Sequence, residues 1–381
     1  MSWKIPLFKI YWDEGDVRVV SDAIKKGMNW ATGPDVEKFE ELIASYVGTE
    51  YAITFNSGTS ALHAAMIAYK IKQGDEVIVP SFTFIATANA PLFVGAKPVF
   101  ADIEEETFGL DPKDVKEKIT SKTKAIIPIH YGGCPCKIRE LKEIAEDHNL
   151  ILIEDAAESL GTAIKDKKVG TFGDSTMFSL CAPKVITTGE GGIIVTDSTE
   201  VYEKLKLIRS HGRAETEDYF SSTEYMDYIA LGYNFRMSNL TAALGIAQLK
   251  KIEEIIEMRR EKAEYMIKKL SKIEDIKLPY APKDYFHVYQ MFTIRMSEIK
   301  RMRKGLKNYL AGKGIMSKVY FEPVHLTTFY KKVLGYDCNL PVTEKISREV
   351  LTLPMYPTLT KNEIDYITDT IIEFFSGDLN G

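Results

Sequence analysis

The sequence predicts an α/β protein, with a parallel-rich sheet covered on both faces and a smaller α+β unit after it. Three observations carry this. Short Val- and Ile-rich runs between residues 52 and 195 lack the apolar–polar alternation of a half-exposed strand, so both of their faces are covered. Stretches of helical composition and length separate those runs, and strand alternating with helix implies parallel pairing. After Arg236 the texture changes to one long amphipathic pattern and then to a mixture of short elements.

In chain order, "YAITF" reads as a strand, and "NSGTSALHAAMIAY" (Asn56–Tyr69) opens a helix through a Ser-Gly-Thr-Ser turn. Buried strands follow in "DEVIVP" (Asp75–Pro80), "KPVFADI" (Lys97–Ile103), "KAIIPIH" (Lys124–His130) and "LILIED" (Leu150–Asp155). Helices are expected in "FIATANAPLFVG", "DPKDVKEKIT" and "KIRELKEIAEDHN". "NLTAALGIAQLKKIEEIIEMRREKAEYMIKKLSKI" (Asn239–Ile273) reads as one long or bent helix. A strand in "HVYQMFTIRM", a basic helix in "IKRMRKGLKNYLAGKG", a strand in "SKVYFEP" and a closing helix in "KNEIDYITDTIIEFF" complete the chain. The boundary is expected near residue 245, which divides a large unit, 1–245, from a small one, 246–381.

Bulk properties narrow the function. The 381 residues are 45% apolar and 27% charged, with a net charge of −5, as in an ordinary soluble protein that is not built to bind nucleic acid. An anionic substrate therefore needs a local positive pocket. No stretch has the apolar length of a membrane span, and the N-terminal segment lacks the apolar core of a signal peptide. Four cysteines in so long a chain form no disulfide framework and point to the cytoplasm. Cys134 and Cys136 have no second pair nearby to complete a zinc site, so they read as loop residues and no metal is expected.

Three local signals carry chemistry. The Ser57-Gly58-Thr59-Ser60 turn offers free backbone N–H groups and hydroxyls at a helix start, where a phosphate is held well. It is neither a Walker loop nor a Gly-x-Gly-x-x-Gly turn, which disfavours ATP and NAD. Asp155 ends a buried strand, where open α/β sheets bind their ligands; Asp155-Ala156-Ala157-Glu158 also has capping-box spacing, and alone it favours a helix cap. Lys184 lies between two apolar runs beside Pro183 and a "GEGG" turn, in a confined place unlike that of a solvated lysine. A phosphate cradle, a strand-end carboxylate and an amine together meet the needs of pyridoxal phosphate.

"NSGTSALHAA", "VPSFTFIATANA", "IEDAAESLG", "GTFGDSTMFS", "ITTGEGG", "RSHGR", "GYNFRMSNLTAALGIAQL" and "REVLTLPMYP", in this order, resemble the DegT/DnrJ/EryC1/StrS aminotransferases over nearly the whole chain. The resemblance implies a fold-type I, pyridoxal-phosphate-dependent aminotransferase acting on nucleotide-linked keto sugars, a homodimer whose subunits share their active sites. It makes Lys184 the Schiff-base lysine and later proton carrier. Only about one free lysine in several thousand is neutral at pH 7, and burial with neighbouring positive charge is expected to correct that. Asp155 becomes the partner of the ring nitrogen. Gly58, Thr59 and Ser179 align with phosphate contacts, Phe84 with a ring-stacking position, and Asn234 with a phosphate contact from the other subunit. Glu158 falls near the ring hydroxyl. Arg236, Phe321 and His325 align with substrate-side positions, although Arg236 also fits a structural ion pair and His325 a packed loop histidine.

The expected amino donor is L-glutamate. The acceptor is expected to be C4 of GDP-4-keto-6-deoxy-mannose, because Glu158 in "EDAAESLG" is similar to the family branch with that activity, where many members carry Gln or His. A role in polysaccharide biosynthesis would follow. A C3 aminotransferase on a dTDP-linked 3-keto sugar, a cyclitol aminotransferase and a binding protein without turnover remain as alternatives. A dehydratase of the same fold is disfavoured, since that branch carries His in place of Lys184. The pair before Lys184, Ala182-Pro183, departs from the family's usual His-Pro or Gly-Asn.

Overall fold

The computed structural model describes residues 3–214, 223, 225–296 and 300–377. Helices α1 (Glu14–Lys25) and α2 (Pro34–Val47) precede strand β1 (Tyr51–Phe55). Asp13 caps α1 by accepting from Gly15 and Asp16, and Pro34 opens α2 where no N–H is needed. Then come α3 (Gly58–Ala68), β2 (Glu76–Pro80), α4 (Ile85–Leu92), β3 (Lys97–Ala101), α5 (Pro112–Lys118), β4 (Thr123–Ile126), α6 (Ile138–Asp147) and β5 (Ile151–Asp155). Each expected strand and helix of this stretch is present, with its ends shifted by a few residues.

The short strands β6 (Ala163–Ile164) and β7 (Lys167–Lys168) form a side ladder, and β8 (Ser175–Ser179), β9 (Gly192–Thr196) and α7 (Thr199–Arg209) follow. The main sheet has the order β1-β9-β8-β5-β4-β2-β3 among the described residues. The four ladders from β8 to β3 are parallel, while β9 runs antiparallel to both β1 and β8. The sheet is therefore mixed and mostly parallel, as expected.

The absence of alternation in the strands has a direct cause. Val77 and Val79 of β2 enter one core while Ile78 enters another, and in β9 Ile194 faces away from Ile193 and Val195 into a different core. Successive side chains point to opposite faces, so a strand covered on both sides is apolar throughout. Phe178 of β8 is fully buried, and truncating it to alanine would cost about 3–5 kcal/mol.

The expected helix over 239–273 is two helices, α8 (Asn239–Leu249) and α9 (Ile252–Leu270). Lys251 interrupts them with φ −116 and ψ 16, and its ammonium sits 2.8 Å from Asp13 and 2.6 Å from Asp16 at the start of α1. The apolar α8 packs on α1 and α2, whereas α9 runs on to the C-terminal elements. These are β10 (Ile276–Lys277), β11 (Tyr285–Phe286), β12 (Phe292–Met296), α10 (Lys300–Gly312), α11 (Pro341–Glu349), β13 (Val350–Leu353) and α12 (Lys361–Phe375). Strand β11 joins the side ladder of β6 and β7, and β10-β12-β13 form an antiparallel sheet over a core that includes Met266, Phe292, Leu306, Leu351 and Ile367.

Two expected strands are corrected. "HVYQMFTIRM" is strand only from Phe292; before it, Val288 and Met291 donate to the carbonyls of Gly133 and Gly132, which pulls this segment across to the large sheet. "SKVYFEP" forms no strand. Lys318 exchanges a bridge with Thr352, and the chain then leaves the edge, so that Val324 donates to Ser81.

Candidate active site

Strands β1, β5 and β8 share one direction and β9 opposes it, so the ends of three strands and the start of the fourth meet at one edge of the sheet. A cavity of about 410 Å³ opens there. Gly58, Thr59, Phe84, Asp155, Glu158, Ser179, Lys184 and Phe321 all line it, although they are spread over more than 260 positions of the chain.

Lys184 lies in the loop between β8 and β9, its backbone N–H bonded to the Cys181 carbonyl at 3.0 Å. The side chain is 17% exposed, and Nζ is 3.5 Å from Glu158 Oε1. Glu158 Oε2 accepts from the Gly132 N–H at 2.9 Å, which fixes the carboxylate beside the amine. The charge next to Lys184 is thus a carboxylate, and the neighbouring cation expected from the sequence is not what the structure places there. Pro183 gains a partner that the sequence did not suggest: Gln290 Nε2 donates to its carbonyl. Gln290 is buried and also lines the cavity. The pull of residues 288–291 toward Gly132 and Gly133 brings it there, and no local pattern around it announces this.

Asp155 is the last residue of β5 and is 3% exposed. No helix follows it, so the capping-box alternative fails: Asp155 Oδ1 accepts from Ala157 at 3.1 Å, and Glu158 turns instead to Gly132 and Lys184. Burial pushes the Asp155 carboxyl above the usual range. Hydrogen bonds from Thr87 and Ala157 and the charge of Lys184 oppose that rise, and Glu158 adds to it. An ionised carboxylate in this place gains from a cation facing it, such as a protonated ring nitrogen.

The other end of the cavity suits an anion. Ser57 caps α3 by accepting from Ser60, and helix geometry leaves the N–H groups of Gly58 and Thr59 outside the helical ladder. A Cβ at Gly58 would lie 3.0 Å from Met177 Sδ and 3.4 Å from Ser179 Cβ, so glycine keeps the cradle open. At Gly192 a Cβ would lie 2.3 Å from the Ser57 carbonyl oxygen; only glycine lets β9 meet the turn that close. Phe84 presents its ring to the cavity, 61% exposed, which is unusual for so large an apolar side chain. An anion cradle, an open aromatic face, a buried carboxylate and an amine around one cavity fit pyridoxal phosphate. Lys318 and Tyr320 line the same cavity and were also missed; the Lys318 ammonium lies 4.6 Å from the Tyr320 ring centroid and puts a positive charge on the cavity lining.

Three expected residues are not brought to this cavity in the single chain. Asn234 is exposed, its carbonyl accepting from Asn56 at 3.3 Å. Arg236 lines a different and larger concavity of about 740 Å³, with Glu37, Glu40 and Arg209, and donates to Ser210 Oγ at 3.2 Å. That concavity holds neither Lys184 nor Asp155. His325 is 2% exposed; its Nδ1 shares a hydrogen bond of 2.7 Å with Ser81 Oγ, and Nε2 lies 3.6 Å from Glu344. Burial lowers its pKa. It is a packed loop histidine here and not part of the cleft wall.

Residues 12–372 match the profile of the DegT/DnrJ/EryC1/StrS aminotransferase family. The chain is 36% identical to the GDP-perosamine synthase of Escherichia coli O157:H7, over 98% of this chain and 99% of that protein. Among solved structures it is similar to PseC of Helicobacter pylori, an aminotransferase involved in the biosynthesis of pseudoaminic acid, with a TM-score of 0.91 and 27% identity over 98% of this chain and 99% of the other. The PLP-form of Spr1654 from Streptococcus pneumoniae matches at a TM-score of 0.91 and 27% identity over 100% of both chains.

Proposed function

The chain belongs to the DegT/DnrJ/EryC1/StrS aminotransferase family, with pyridoxal phosphate as cofactor, and from that premise we propose that it moves the amino group of L-glutamate to C4 of GDP-4-keto-6-deoxy-mannose. The observation that carries the site is the Lys184 amine, 3.5 Å from Glu158, in one cavity with Asp155 and the start of α3. When bound, the cofactor supplies a carbon that exchanges amines and a ring that takes up the electron pair released at the substrate carbon.

The chain's own groups do the rest. Lys184 Nζ would hold the cofactor covalently and, displaced by the incoming amine of the substrate, would be free to carry a proton to and from the substrate carbon. The Asp155 carboxylate keeps a proton on the ring nitrogen. Gly58 and Thr59 N–H groups and the Ser179 hydroxyl would take the phosphate, and Phe84 would offer its ring to the cofactor's. Glu158 accepts hydrogen bonds from hydroxyls near Lys184, where glutamine could also donate one. Phe321 and Lys318 face the sugar nucleotide. The active unit is a homodimer in which Asn234 reaches the phosphate of the partner's site.

The choice of sugar is supported by the relative named GDP-perosamine synthase, 36% identical over 98% of this chain. The test offers glutamate with either GDP-4-keto-6-deoxy-mannose or a dTDP-linked 3-keto-6-deoxy sugar and follows the amino product by mass spectrometry. A higher kcat/KM for the GDP sugar is expected; a clear preference for the 3-keto compound overturns the choice of sugar while leaving the family assignment intact.

A further inference from the structure

Asp155 has a side-chain partner that its charge requires. Thr87, in the first turn of α4 and 1% exposed, places Oγ1 2.6 Å from Asp155 Oδ2. Two other oxygens are in reach of the same hydroxyl: Thr83 Oγ1 at 2.8 Å and the Phe84 carbonyl at 3.1 Å. A threonine donating to the carbonyl three residues back is an ordinary helix-start contact. Here it competes for a single proton. An ionised carboxylate only accepts, so the Thr87 proton goes to Asp155, which is also the shortest of the three contacts.

Thr83 then donates to Thr87. The two hydroxyls point one way, toward the carboxylate. The reverse order, with Thr87 donating to Thr83 or to Phe84, requires a protonated Asp155. Oδ1 is held by the Ala157 N–H at 3.1 Å, and the charged groups facing the carboxyl are Lys184 and Glu158. Since burial favours the neutral acid and Glu158 adds to that, the hydroxyl pair works against both. Phe84 lies between the two threonines in sequence and lines the cavity with them, so one segment presents both the ring face and the hydroxyls.

We propose that Thr87, backed by Thr83, is a positioning residue that keeps Asp155 ionised and aimed at the ring nitrogen of the bound cofactor. This rests on the assignment of Asp155 made above. The hydroxyl matters and the bulk does not, which separates this role from packing.

The test compares Thr87→Val, a near-isostere without the hydroxyl, with Thr87→Ser, which keeps it, and with Asp155→Asn, all reconstituted with pyridoxal phosphate. The readouts are the cofactor Kd, the pH midpoint of the bound cofactor's visible band, and the Tm of the cofactor-free protein. Thr87→Val is expected to raise the Kd about tenfold, in keeping with the loss of a charge-assisted hydrogen bond. It should also move the midpoint upward, because a less protonated ring withdraws less charge from its bond to the lysine. Thr87→Ser should stay within about twofold of the wild type. Should Thr87→Val not fold, Thr83→Val is expected to move the midpoint in the same direction by less. A valine variant with the wild-type Kd and midpoint, or a serine variant as impaired as the valine one, overturns the inference. An Asp155→Asn variant with the wild-type Kd and midpoint overturns both the inference and the Asp155 assignment; if only Asp155→Asn is impaired, the inference alone falls.

Discussion

Gln290 donates to the carbonyl of Pro183, the residue next to Lys184. Proline has no N–H to turn toward a partner, so the bond fixes which end of the Gln290 amide faces the loop. Gln290→Leu keeps much of the volume and removes the donor. It is expected to lower kcat about tenfold through misplacement of the amine, with KM little changed, measured by steady-state kinetics with glutamate. An unchanged kcat would show that the loop holds Lys184 without it. Single residues differ in how far the sequence reveals them. Lys184, Asp155, Ser179 and Gly58 sit in motifs beside strand ends, where residue type and neighbours both speak. Gln290 and Thr87 act through contacts made by folding residues from distant segments together; Thr87 lies inside the "VPSFTFIATANA" motif, yet nothing beside it points to Asp155, and Gln290 has no local pattern. His325 shows the opposite failure: a promising motif position whose side chain folding turns inward onto Ser81.

At the scale of elements, the turn after β1 and the start of β9 form one unit. Gly192 lets β9 approach the Ser57 carbonyl, and the same turn presents the N–H groups of Gly58 and Thr59. Gly192→Val forces that turn to shift. The expected result is a cofactor Kd raised at least about tenfold, read by titration of the visible band, with the far-UV spectrum unchanged. A Kd equal to that of the wild type would mean that the turn does not hold the phosphate. The strands of the large sheet were legible because burial on both faces writes itself into composition. The pattern over 239–273 allowed a bend but did not place it at Lys251, whose partners Asp13 and Asp16 lie more than 230 positions away. Residues 317–323 have strand composition, yet they leave the sheet edge after Lys318, and Tyr320 and Phe321 line the cavity instead.

At the scale of the whole molecule, Asn234 is exposed and does not line the cavity of its own chain. If it serves the partner's site, two impaired variants restore each other. Mixing Lys184→Ala chains with Asn234→Ala chains makes heterodimers in which one site has an intact lysine and an intact asparagine. Recovery of up to about a quarter of wild-type turnover is expected after subunit exchange, and none if Asn234 acts within its own chain. No helix among the described residues is long and apolar enough to cross a membrane. The most direct measurement of the central claim is glutamate-dependent formation of 2-oxoglutarate in the presence of GDP-4-keto-6-deoxy-mannose, by the wild type and by Lys184→Ala loaded with pyridoxal phosphate. The wild type should turn over. The variant should still bind the cofactor through its phosphate and ring contacts while losing at least ~10³-fold in kcat, since both the covalent amine and the proton carrier are gone. A Lys184→Ala variant with near-normal turnover would contradict the account.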